Sequence, residues 1–95
     1  MYVRSHKYDV DADPISNYYE QLVVEMIGDC TGDDLNADSI ADIACIALNN
    51  LPPKYIRHNV DMAFFNTLEE TEKMRERVRQ ALADAEQFVR THHRE

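Results

Sequence analysis

Glycine is scarce in this chain: there are two among 95 residues. That disfavours a turn-rich β fold and suits helices joined by short loops. Cysteine is equally scarce. Cys30 and Cys45 alone make no disulfide framework, and they read as reduced packing thiols in a cytoplasmic protein. No apolar run approaches the roughly 18 residues of a membrane span, so no membrane insertion is expected. The opening "MYVRSHKYDVDADP" also lacks the apolar stretch of a secretory signal.

Positive charge is short as well. Ten Lys and Arg face 18 Asp and Glu, a formal net charge of −8. Duplex affinity comes largely from cations that neutralise phosphates, so this balance argues against a DNA partner. The acid is uneven. Residues 1–42 carry ten acids against Arg4 and Lys7, whereas residues 67–95 carry seven acids against six bases. An anionic ligand would need a local basic site.

Catalytic signatures are missing. The chain has no G-x-S-x-G, no P-loop, no H-E-x-x-H and no C-x-x-C, so it is read as no enzyme, with no catalytic residues and no cofactor. Cys30, Cys45, His6, His58, His92 and His93 match no zinc spacing, and no metal is expected. The loop "DCTGDDLNADS" has the composition of a calcium loop but not its spacing. Gly32 is fourth from Asp29, and no Glu stands where a bidentate ligand is needed.

What is present points to an all-α chain, a small three-to-four-helix domain with a Pro-Pro corner that dimerises through its helices. Hydrophobic residues make up 44%, which suits one globular domain. Residues 1–12 read as an N-terminal arm and 13–95 as a single helical domain. Asp13 and Pro14 suit an N-cap and first position for a helix carrying Ile15, Tyr19, Leu22, Val23 and Met26, with Gly28 at its end. Asn36 suits the N-cap of a second helix running from about residue 37 to Asn50. Its apolar stripe of Ile40, Ile43, Ala44, Ala47, Leu48 and Leu51 is widened by Ala41, Cys45 and Ile46. A helix so apolar is covered on more than one side, and in a small chain a second subunit is the natural cover. Thr67 and Glu70 form a capping box for a last helix striped by Met74, Val78, Ala81, Leu82, Ala85 and Val89. From Leu68 to His92 it would span about 37 Å at about 1.5 Å per residue, long for so small a domain.

Between the last two helices stands "ALNNLPPKYIRHN". Two prolines stop the second helix, and residues 54–65 read as extended. Lys54, Arg57 and His58 gather beside the flat ring of Tyr55 on a stiff backbone, with Asn49 and Pro53 alongside. An aromatic face for a base and a guanidinium fork for a phosphate are the elements of a nucleotide site. A packed helix-to-loop corner is the plainer reading of the same residues. The run Lys73, Arg75, Arg77, Arg79 is a solvated helix face or a second basic patch.

"NYYEQLVVEMI" and "DIACIALNNLPPKYIRHNVDMAFF" resemble the late competence development ComFB family. The resemblance covers roughly residues 16–65 and continues loosely into the last helix. The segment of Asn49, Leu51, Pro52, Pro53 and Tyr55 is its most specific part, and "NYYE" followed by "LV" and a further Glu is a second. The resemblance implies a small helical dimer that performs no chemistry. Cyanobacterial relatives are receptors for cyclic dinucleotides in competence, type IV pilus and motility control. The zinc of a cysteine-rich Bacillus relative is not carried over, because Cys30 and Cys45 do not reproduce its cysteine set. The expectation is a non-enzymatic receptor for cyclic di-GMP or cyclic di-AMP that relays ligand state to an effector protein. Its ligand residues would be Asn49, Pro53, Lys54, Tyr55, Arg57 and His58. The alternative is a dimeric helical interaction module with no small ligand.

Overall fold

The computed structural model describes residues 4–5, 10–11, 15–56 and 67–92. Among these residues three helices carry the fold: α1 (Tyr18–Cys30), α2 (Ala37–Asn49) and α3 (Leu68–Thr91). Four two-residue strands are described beside them. β1 (Arg4–Ser5) pairs antiparallel with β2 (Val10–Asp11), within the segment read as an arm. β3 (Ser16–Asn17) pairs antiparallel with β4 (Tyr55–Ile56), with Asn17 opposite Tyr55. The extended reading of residues 54–65 therefore holds at Tyr55–Ile56, and residues 57–66 lie outside the described residues.

The start of α1 differs from the reading of Asp13 and Pro14 as its cap. Ser16 and Asn17 are held extended by the ladder to β4, so the helix begins only at Tyr18. Asn17 is the N-cap, its side-chain oxygen accepting the Tyr19 N–H at 3.1 Å. The end differs too. The helix passes through Gly28 and stops at Cys30. Gly28 is exposed, but Ile27 and Cys30 on either side of it pack against the core and carry the helix on. The Thr31 hydroxyl then donates to the Ile27 carbonyl at 2.6 Å, satisfying one of the last orphan acceptors.

The other two starts follow the sequence. Asn36 caps α2 by accepting the Ser39 N–H at 2.8 Å. Thr67 and Glu70 close a reciprocal capping box on α3, each contact at 3.1 Å. The α2 helix ends at Asn49, and the Asn50 N–H bonds back to the Ala47 carbonyl. Leu51 is buried, while Pro52 and Pro53 are exposed.

The core lies where α3 packs on both α1 and α2. Tyr19, Leu22, Val23 and Met26 come from α1, Ile43 and Ala47 from α2, and Met74, Val78, Leu82 and Ala85 from α3. Leu51 and Ile56 close it beside the proline pair. Of the wide apolar surface on α2, Ile43 and Ala47 are buried, and Ile40, Ala44, Ile46 and Leu48 are half-buried. Ala41 and Cys45 face outward within a single chain. No helix among the described residues is long and apolar enough to cross a membrane.

Candidate functional site

Asn17 joins two distant pieces of sequence. Besides capping α1, its side-chain oxygen accepts the Lys54 N–H at 2.9 Å. The Tyr18 N–H in turn donates to the Lys54 carbonyl at 2.6 Å. The first N–H groups of a helix lack intrahelical partners and carry partial positive charge, so a carbonyl is favoured there. One residue, Lys54, thus has both its backbone donor and its backbone acceptor bound at the start of α1. Its side chain is left exposed. The segment after Pro52–Pro53 is therefore fixed by proline stiffness on one side and by this clamp on the other.

A cleft of about 250 Å³ opens beside the clamp. It is lined by Tyr19 from α1, by Pro52, Pro53 and Lys54, and by Glu70, Lys73, Met74 and Arg77 from α3. Tyr19 and Met74 are buried and make its floor, while the remaining lining residues are exposed and make its rim. An Arg77 Nη1–H donates to the Tyr19 hydroxyl oxygen at 3.3 Å, which orients the guanidinium against the floor. Among the described residues Glu70 is the only carboxylate in this lining, and its Oε2 is engaged by the Thr67 N–H in the capping box.

Of the six residues expected to bind ligand, Pro53 and Lys54 lie in the lining. Tyr55 is next to it in the chain but is not part of the lining; it is 60% exposed and sits opposite Asn17 in the ladder. Asn49 is exposed on the last turn of α2, its amide 3.8 Å from the Cys45 sulfur, and does not line the cleft. Arg57 and His58 lie outside the described residues. Lys73 and Arg77, read from sequence as part of a separate helix face, are brought to the same cleft as Lys54. Asn17 and Tyr19 were within the quoted "NYYE", but no local pattern announced their partners on the far side of the chain. Among the described residues no three His, Cys, Asp or Glu side chains gather closely enough to hold a metal ion.

The two most distinctive stretches of the sequence, "NYYE" and "LPPKY", are thus hydrogen-bonded to each other. A family model, Late competence development protein ComFB, matches residues 16–93. The chain belongs to the ComFB family. No curated protein and no solved structure gives a significant match. The ComFB match runs from β3 through α3, so every residue of the clamp and of the cleft falls inside it. Membership points to a role in late competence development.

Proposed function

We propose that this ComFB-family chain is a non-enzymatic receptor for a cyclic dinucleotide, cyclic di-GMP or cyclic di-AMP, whose occupied state is read by an effector protein. The observation that carries this reading is the pinned backbone of Lys54, which anchors the attachment point of a cation next in the chain to a largely exposed aromatic ring. A ring that is exposed without ligand is available for stacking against a base, and a cation on the adjoining residue suits a phosphate. Pre-ordering matters because a flexible site spends binding energy on its own immobilisation. In the sequence Arg57 and His58 follow within the same stretch and add charge to it. The acidic remainder of the chain repels long polyanions, so a compact dianion fits this protein better than nucleic acid.

Isothermal titration of the purified protein with cyclic di-GMP, cyclic di-AMP and the linear mononucleotides tests the reading. Saturable binding of one cyclic dinucleotide is expected, weakened in Tyr55→Ala and Arg57→Ala. Thermal melts provide a second readout: a ligand that binds only the folded state adds about 2.7 kcal/mol at 100 times its dissociation constant. No heat and no thermal shift with any nucleotide would reject the receptor and favour a helical interaction module.

A further inference from the structure

We propose that the cleft between Pro52–Lys54 and α3 is a seat for a phosphate group, held by the Lys54 ammonium and the Arg77 guanidinium. The argument starts from charge pairing. Six Lys and Arg side chains lie within residues 15–56 and 67–92, and four have carboxylate partners there. Lys73 pairs with Glu69 at 3.3 Å and Arg75 with Glu25 at 2.9 Å. Arg79 pairs with Glu76 at 2.8 Å and Glu72 at 3.3 Å. Arg90 pairs with Asp34 at 2.8 Å and Glu86 at 2.9 Å. Lys54 and Arg77 have no carboxylate within ion-pair distance among the described residues. Among these six, a cation without a described carboxylate partner is the minority case. Both of these line the same cleft, although they come from separate elements.

The geometry prepares them for an anion. The backbone of Lys54 is bound at both its N–H and its carbonyl, so its side chain starts from a fixed point. Arg77 uses one N–H on the Tyr19 hydroxyl, and among the described residues the rest of its donor fork is open. Arg provides planar, two-point recognition of a phosphate and Lys a point charge, and the two act together here. Lys73 adds a third positive group on the rim, though Glu69 partly neutralises it. Glu70 supplies an acceptor beside the cations. A ligand that brings hydrogen-bond donors with its phosphate, such as a nucleotide base edge, therefore matches the lining better than a bare inorganic ion. At about 250 Å³ the cleft is below the roughly 300–1,000 Å³ of sites that enclose a whole drug-sized ligand. It takes one phosphate and its attached group, while the rest of a larger ligand lies outside the cleft.

The identity of the ligand rests on the receptor reading above; the phosphate seat itself rests on the cleft. Four proteins are compared by calorimetric titration with cyclic di-GMP and cyclic di-AMP: wild type, Lys54→Gln, Arg77→Gln and Arg75→Gln. Lys54→Gln and Arg77→Gln are each expected to bind at least tenfold more weakly. Arg75→Gln removes the same charge from a paired site on the same helix and should bind within about twofold of wild type, a difference near 0.4 kcal/mol. Should Arg77→Gln fail to fold, Lys54→Gln decides alone, since its side chain is exposed. Unchanged affinity in Lys54→Gln, and in a folded Arg77→Gln, would overturn the seat while leaving the receptor intact. If wild type binds neither dinucleotide, the receptor reading falls. Inorganic pyrophosphate, followed by amide shifts in nuclear magnetic resonance, then tests the seat. Shifts confined to Tyr19, Lys54, Lys73 and Arg77 support it, and their absence overturns it.

Discussion

A single side-chain oxygen, that of Asn17, takes hydrogen bonds from the Tyr19 and Lys54 N–H groups. Asn17→Ala removes both, and N-cap losses of this kind cost roughly 0.5–2 kcal/mol. The variant should unfold at lower denaturant, and its affinity for any ligand of the cleft should drop because Lys54 loses one of its two backbone anchors. Asn17→Asp keeps the acceptor and should retain most of both properties. At the opposite end of α3, Arg90 grips Asp34 through two N–H groups at 2.8 and 3.0 Å. That hydrogen bond to a guanidinium lowers the Asp34 pKa from 3.8 to about 2. A carboxyl with a depressed folded-state pKa stabilises the fold above its unfolded value and loses that effect as pH falls through the folded one. Asp34→Asn should therefore melt lower than wild type at pH 7, and the gap should close between about pH 4 and pH 2, as thermal midpoints across that range will show. The effect will be small, because the pair is solvent-exposed and screened.

At the scale of elements, what was legible in the sequence had short-range causes. The Thr67–Glu70 box and the Asn36 cap are interactions within three residues, so the start of each helix is written locally. The apolar stripes of α1 and α3 gave the buried residues for the same reason, through helical spacing. The start of α1 failed because the strong local signal of Pro14 was overridden by the ladder between Asn17 and Tyr55, a contact that spacing does not reveal. Gly28 misled in the same way, since burial of its neighbours outweighed its preference to end a helix. The cleft was half legible. Lys54 and the Lys73–Arg77 run were each marked as basic, but their meeting depends on how α3 lies across α1. That packing also sets the largest mutational effect. Leu82 is fully buried in the core that α3 forms with α1 and α2. Leu82→Ala should cost about 2–5 kcal/mol, against about 1 kcal/mol for Thr67→Ala, in equilibrium denaturation.

For the whole molecule, the question is what covers the outward side of α2. Among the described residues one chain buries twelve hydrophobic side chains. The α1–α3 side of α2 takes up Ile43 and Ala47, while Ala41 and Cys45 stay exposed and Ile40, Ala44, Ile46 and Leu48 are only half covered. The helix carries Asp38 and Asp42 but no Lys or Arg, so its outward side offers little charge to hold water and none of the positive sign. Small residues there let a second helix approach closely, and a second copy of the same surface provides a matching apolar partner under two-fold symmetry. A homodimer follows as the expected state. Sedimentation at micromolar concentration should give about twice the 11.0 kDa chain mass. Ala41→Glu puts a carboxylate in the middle of that face without touching the core, so it should return the protein to a folded monomer. The cleft lies with α1, α3 and the proline pair, not with this face. The monomeric variant should therefore keep the phosphate seat of each chain while losing any contact a ligand makes across the dimer. A wild type that sediments as a monomer throughout that range would refute the dimer.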